Sequence, residues 1–121
     1  MFVILWKFAV KEGQETDFER VYGPEGDWVR LFGKGQGFVG TELLRSSDQP
    51  SEFVTADRWR SQGDFEKFRG HNLDAYKAVD EQCADFTHQE TLLGMFNTIG
   101  GEAAPATQSA PALAYPLTPS S

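Results

Sequence analysis

A carboxylate and an indole lie two positions apart in the stretch EFVTADRWR, residues 52–60, and this spacing indicates a functional site. The β-branched and aromatic residues of the stretch predict a strand, whose period of two places Asp57 and Trp59 on one face. The two arginines of the stretch then lie on the other face, so we expect the partner of Asp57 on a helix, at Arg30 or His71. A carboxylate buried in an apolar cavity has a perturbed pKa and is a candidate general base.

Other residues have side chains suited to the same site. Candidate catalytic residues are Asp57, His71 and Tyr76, and candidate substrate-binding residues are Trp6, Tyr22, Trp28, Arg30 and Trp59. Asp57 and His71 are suited to accept a proton, and the hydroxyl and guanidinium donors to hold a developing negative charge. The indoles are suited to hold a planar ring, although regularly spaced aromatic residues more often pack in a core. A structural ion pair and a solvated turn are the simpler alternatives for Asp57 and His71.

The sequence does not indicate a metal or a cofactor, and we expect neither. His71 and His88 lie seventeen positions apart, without the close spacing of metal-binding histidines, and Cys83 is the single cysteine. The glycines of GKGQG, residues 33–37, follow a helix rather than a strand, which is the wrong order for a phosphate-binding loop. We place His88 and Glu90 on the last strand, at a subunit interface.

Charge and hydrophobicity exclude several classes of partner. The formal net charge is −7 over 121 residues, with no basic cluster, which argues against nucleic acid and anionic membranes. The apolar start of the chain has neither a signal-peptide pattern nor the length of a membrane span. We therefore expect a cytoplasmic protein with one domain.

Periodicity predicts an α+β domain with the element order β-α-β-β-α-β. Strands are predicted at residues 2–10, 38–45, 52–60 and 87–96, and helical segments at 14–32 and 61–83. Gly23-Pro24 should kink or divide the first helical segment. Ser61 should cap the second segment, Gly70 should break it, and Asn72 should cap its continuation. This order is that of a ferredoxin-like fold, in which both crossovers lie on one face of a four-stranded antiparallel sheet.

The opposite face of the predicted sheet is too apolar to be left in water. It carries Val3, Leu5, Ala9, Val54 and Ala56. A second copy of the same sheet is the expected cover, because a two-fold axis makes such a contact self-complementary. The domain should span residues 1–97, and residues 98–121, rich in Ala, Pro, Ser and Thr, should form a flexible tail.

Five motifs, in this order, resemble those of a known family. They are YGPEGDW (residues 22–28), LF (31–32), GTELLR (40–45), DRW (57–59) and ETLLGMF (90–96). Together they are similar to the antibiotic biosynthesis monooxygenase family of dimeric α+β barrel proteins, over about residues 1–96. The resemblance implies a ferredoxin-like protomer, a dimer formed sheet to sheet, and a cavity between the sheet and the helices.

The same resemblance implies two kinds of chemistry. Some relatives are oxygenases that act on phenolic or quinol-type substrates without metal or flavin, and others degrade haem with an Asn, a Trp and a His. Here Trp59 matches the Trp, but Trp6 stands at the Asn position and Tyr76 at the His position, which argues against haem degradation.

We therefore expect a homodimeric, cofactor-independent monooxygenase that acts on a planar hydrophobic small molecule. An isomerase or lyase working by proton transfer would use the same residues. A non-catalytic binding or scaffold protein is the alternative from another class. A cavity reached by Asp57, Tyr76 or His71 favours catalysis or binding, whereas helices packed flush against Trp6 and Trp59 favour a scaffold.

Overall fold

A computed structural model of the protein describes residues 1–100, which fold as four helices on one face of a four-stranded antiparallel sheet. The strands are β1 (Phe2–Val10), β2 (Phe38–Arg45), β3 (Glu52–Trp59) and β4 (Thr87–Asn97), and the helices are α1 (Glu15–Tyr22), α2 (Asp27–Phe32), α3 (Gln62–His71) and α4 (Leu73–Cys83). A 3₁₀ turn, Ala84–Phe86, precedes β4. The sheet order is β2-β3-β1-β4, which is the ferredoxin-like arrangement predicted from the sequence.

The register of the two central strands places their aromatic and polar residues on one face. Ile4 of β1 lies opposite Asp57 of β3, and Trp6 lies opposite Thr55. Because side chains alternate along a strand, this face also receives Phe8 of β1 and both Phe53 and Trp59 of β3. The helices cover it.

The first helical segment is divided as the sequence predicted. Gly23-Pro24 lies between α1 and α2, and α2 begins after Gly26. A side chain at Gly26 would collide with the main-chain oxygen of Val21, so the close approach of the two helices requires a residue without Cβ.

The second segment follows the prediction at its start and departs from it at its break. The Asp64 N–H donates to Ser61 Oγ at 3.1 Å, which is the predicted cap. The predicted break at Gly70 is wrong, because α3 continues to His71. Asn72 does not cap α4 with its side chain, which instead donates to the Phe68 main-chain oxygen at 2.9 Å and so binds the end of α3.

Trp59 is the centre of the core, with no exposed surface. Its ring lies 5.1 to 5.9 Å from four phenylalanine rings, centroid to centroid, and these are Phe32, Phe38, Phe65 and Phe68. The four come from α2, the start of β2, and α3, so Trp59 joins three elements of the domain.

The end of β4 is followed by the last described residues. The Thr98 N–H donates to the Met1 main-chain oxygen at 2.9 Å, beside the start of β1. The rest of the predicted tail, residues 101–121, lies outside the described residues. Within residues 1–100, no helix has the length and apolar character to cross a bilayer.

Replacing Trp59 with alanine should destabilise the protein strongly, because the ring fills the middle of the core. We expect Trp59→Ala to lower the free energy of unfolding by about 3 to 5 kcal/mol, measured by urea denaturation. Leu73→Ala, an aliphatic truncation at an exposed position on α4, is the control and should change it by less than about 1 kcal/mol. Equal losses in the two variants would show that Trp59 does not hold the core together.

Candidate active site

A cavity of about 250 Å³ lies between the helices and the sheet. Its walls combine aromatic rings with ionisable and hydroxyl side chains. It is lined by Trp6, Phe8, Tyr22, Trp28, Phe32, Thr41, Thr55, Asp57, Arg69, Tyr76, Asp80 and Glu90. The helices are therefore not packed flush against the whole sheet, which favours binding or catalysis over a purely structural role.

Asp57 is the most deeply buried carboxylate of this cavity, with 7% of its surface exposed. The Thr41 hydroxyl donates to its Oδ1 at 2.7 Å, across the β2–β3 pair. Within residues 1–100, no donor is hydrogen-bonded to the other oxygen, Oδ2. The partner of Asp57 is thus a strand threonine, and the prediction of a helix partner at Arg30 or His71 is wrong.

Burial changes the protonation of this carboxyl group. Loss of water contact raises the pKa of Asp57 from 3.8 to about 6, although the Thr41 hydrogen bond opposes the rise. The side chain is therefore ionised at neutral pH and accepts a proton more readily than an exposed aspartate, as a general base requires.

A cation and a phenol line the same cavity from the two C-terminal helices. The Arg69 guanidinium carbon of α3 lies 5.5 Å from the centre of the Tyr76 ring of α4, a cation–π contact. Burial raises the pKa of Tyr76, while the charge of Arg69 acts in the opposite direction. No carboxylate of residues 1–100 forms a salt bridge with Arg69. It is thus available to a ligand.

Two further carboxylates lie on the walls of the cavity. Asp80 is one helical turn after Tyr76 on α4, and Glu90 of β4 lies opposite Phe8 of β1. Partial burial raises the pKa of Glu90, and the negative charge of Asp80 adds to the rise. The prediction that Glu90 lies on the open face of the sheet is wrong, because its side chain lines the cavity on the helix side.

Aromatic rings close the inner end of the cavity. Tyr22 lies 4.9 Å from Phe8 and 6.1 Å from Trp28, and Trp28 lies 5.1 Å from Tyr76, between ring centroids. Burial raises the pKa of Tyr22 far above its usual range, so its hydroxyl stays protonated. In the described part of the chain, the buried Trp28 Nε1 has no hydrogen-bond partner.

A second cavity of about 210 Å³ adjoins the first. The two share Trp6, Phe32, Asp57, Arg69 and Tyr76 as walls. The remaining walls of the second cavity are apolar and consist of Ile4, Phe65, Leu92 and Met95. Asp57 therefore stands where a polar and an apolar space meet.

The structure places five of the eight predicted site residues at the first cavity. These are Asp57, Tyr76, Trp6, Tyr22 and Trp28. Trp59 lines neither described cavity, because its ring lies in the core. His71 is exposed at the end of α3. Arg30 is also exposed, where it donates to Asp27 at 2.6 Å and to the Glu25 main-chain oxygen at 2.8 Å.

Five polar wall residues were missed from the sequence: Thr41, Thr55, Arg69, Asp80 and Glu90. Alternation along β3 already placed Thr55 beside Asp57, and the spacing of four placed Asp80 beside Tyr76. Thr41 required the hairpin register, and Arg69 required the angle between α3 and α4. Within residues 1–100, no group of three or more His, Cys, Asp or Glu side chains is placed so that it could hold a metal ion.

The raised pKa of Asp57 predicts a pH-dependent effect of Asp57→Asn on stability. The folded protein binds this proton more tightly than the unfolded chain, so the stabilisation is complete below pH 3.8 and is lost as pH rises through about 6. A rise in pKa of about two units corresponds to about 3 kcal/mol in the free energy of unfolding. We expect the free energy of unfolding of Asp57→Asn to rise relative to that of wild type by up to about 3 kcal/mol between pH 4 and pH 7, as measured by urea denaturation.

Asp48→Asn, the same substitution in the exposed turn between β2 and β3, is the matched control for this effect. It should show a much smaller change across the same pH range. A difference between wild type and Asp57→Asn that stays constant with pH would contradict the burial of an ionised carboxylate.

Comparison with known proteins places this architecture in a family. The model of the antibiotic biosynthesis monooxygenase family matches residues 1–82. No curated protein matches the sequence.

Solved structures share the fold. The cofactor-independent oxygenase SnoaB from Streptomyces nogalater is 19% identical over 81% of this chain and 92% of its own, with a TM-score of 0.64. Rv0793 from Mycobacterium tuberculosis is 14% identical over 81% of this chain and 94% of its own, with a TM-score of 0.62. Because the family match covers more than half of the sequence, the chain belongs to the antibiotic biosynthesis monooxygenase family.

Proposed function

We propose that the protein is a cofactor-independent monooxygenase that acts on a planar, hydrophobic molecule of the phenol or quinol type. The observation that carries the proposal is the Asp57 carboxylate, buried in an aromatic-walled cavity with one oxygen held by Thr41 and the other free of hydrogen bonds within residues 1–100. Membership in the family and the fold shared with SnoaB, an oxygenase described as cofactor-independent, support it.

Asp57 is the proposed base. Oxygen reacts with an electron-rich anion far more readily than with its neutral parent, so the first step is removal of a proton from the substrate. The proton passes to Oδ2, while Thr41 holds Oδ1 and fixes the orientation of the carboxylate. The substrate anion then transfers electrons to oxygen. One oxygen atom enters the ring system as a carbonyl, and the other leaves as water with two hydrogens from the substrate.

Arg69 and Tyr76 are proposed to hold the negative charge that develops on the substrate. Both line the cavity beside Asp57 and carry donors, and Arg69 has no competing salt bridge within residues 1–100. Stacking of Arg69 on the Tyr76 ring keeps the two side chains together. In this scheme they take the role that the sequence assigned to Tyr22, Tyr76 and Arg30.

The charge of the cavity supports a substrate with hydroxyl groups rather than carboxylates. Among residues 1–100, three carboxylates line the cavity, those of Asp57, Asp80 and Glu90, together with one cation, Arg69. An anionic ligand would be repelled, whereas phenolic hydroxyls would donate to the carboxylates. Trp6 and Trp28 provide apolar surfaces for a planar ring.

Oxygen uptake with a panel of quinols and anthrones tests the proposal. We expect wild-type protein to consume oxygen, with kcat/KM falling tenfold per pH unit below about pH 6 as Asp57 becomes protonated. Asp57→Asn should lower kcat at least a hundredfold, whereas Asp48→Asn should retain wild-type activity.

Two results would count against oxygenase chemistry. Absence of oxygen uptake across the panel in folded protein would contradict it. Substrate conversion without oxygen uptake would assign the site to proton transfer in an isomerase or a lyase instead.

We also propose that two copies pair through the open face of the sheet. At its centre Val3 and Ala56 are already buried within one chain, whereas Leu5 and Val54 are partly exposed, and Leu44 and Phe96 lie on its outer strands with about half of their surface exposed. The charged residues of this face are paired within one chain. Lys7 lies 4.0 Å from Glu52 and Arg58 lies 3.4 Å from Glu42, so two such faces meet without net repulsion.

Light scattering of the full chain tests this pairing. Wild-type protein should have the mass of two chains, and Leu44→Glu should have the mass of one, because an unpaired carboxylate is costly to bury in an interface. Leu73→Glu, at a similarly exposed leucine on α4, should remain a dimer. A single-chain mass for wild type would contradict the proposal.

A further inference from the structure

We infer that the substrate is an elongated, amphipathic molecule whose ring occupies the first cavity and whose apolar extension lies in the second, against Leu92 and Met95. The inference rests on the proposed function for the reaction itself, and it adds the shape and chemical division of the substrate.

The two cavities together have the volume of one small-molecule site. Small-molecule sites usually measure about 300 to 1,000 Å³. The first cavity, at about 250 Å³, and the second, at about 210 Å³, each fall short of that range, but together they lie within it. Because both touch Asp57, a ligand that spans them places its middle at the proposed base.

Two exposed aliphatic side chains lie on the walls of the second cavity. Leu92 and Met95 lie opposite Trp6 and Ile4 of β1, on the helix side of the sheet, yet they are 43% and 48% exposed. The helices leave this part of β4 uncovered. Apolar side chains that line a cavity next to the site gain stability when a ligand removes them from water.

The chemistry of the cavity walls determines which end of the substrate lies in which cavity. Asp80, Glu90 and Thr41 lie only at the first cavity, and Ile4, Phe65, Leu92 and Met95 only at the second. Hydroxyl groups therefore belong at the first cavity and an alkyl chain or unsubstituted ring at the second. Arg69 and Tyr76, shared by both, flank the junction.

Binding of a series of 4-alkylphenols, from ethyl to hexyl, tests the inference without requiring turnover. Calorimetry should show that Kd for wild type tightens up to about fourfold per added methylene, and at least tenfold over the series. In Leu92→Gln and Met95→Gln the gain in affinity from 4-ethylphenol to 4-hexylphenol should shrink severalfold, while Kd for 4-ethylphenol itself changes less than twofold.

Leu73→Gln is the matched control, because Leu73 is 40% exposed and lies outside both cavities. It should retain the wild-type dependence on chain length. The inference would be overturned if Kd for wild type did not change with alkyl chain length. It would also be overturned if Leu73→Gln and Leu92→Gln lost the chain-length dependence equally. A change of oligomeric state in Leu92→Gln with an unchanged series would overturn it as well and would assign the groove to a second copy.

The binding result and the reaction are separable. A steep chain-length dependence without oxygen uptake from any quinol would leave the two-part site standing and remove the oxygenase proposal. Oxygen uptake together with a flat series would do the reverse.

Discussion

A carboxylate held in the middle of an apolar sheet face is the constraint on which the site depends. Asp57 lies on β3, between β1 and β2, so that Ile4 flanks it on one side and Thr41 on the other. A residue on a central strand cannot swing into water without breaking two ladders of hydrogen bonds. Ionisation of Asp57 at neutral pH therefore costs stability, and the fold holds a reactive base in place at that cost.

The rest of the domain can be understood as the packing that makes this burial possible. Trp59 joins α2, α3 and β2 on one side of Asp57. On the other side, Phe18 stacks on Tyr22 and makes a tilted ring contact with Phe53. Between these two aromatic clusters the helices leave the sheet uncovered. The cavity is thus the gap between two well-packed regions.

The turn between α3 and α4 places Arg69, the cation of the site, next to Tyr76. Asn72, whose backbone is not helical, donates its side-chain N–H to the Phe68 main-chain oxygen at the end of α3, and α4 begins at Leu73 as a separate helix. Arg69 and Tyr76, on different helices, consequently meet over the same cavity. Strand alternation separates this site from the open sheet face, so that ligand binding and the proposed pairing use opposite sides of the same strands.

The sequence by itself determined the architecture, most of the aromatic site residues and one acidic site residue, Asp57. Period-two and helical patterns are local, so they fixed the strands, the face shared by Asp57 and Thr55, and the interruption at Gly23-Pro24. What only the tertiary structure decided was which side chains meet across elements. Trp59 and Asp57 share a face, yet one is sealed in the core and the other opens to a cavity, because helix placement rather than alternation sets the depth of each position. The partnership of Thr41 with Asp57 depends on hairpin register, and that of Arg69 with Tyr76 on an interhelical angle, neither of which has a local signal in the chain.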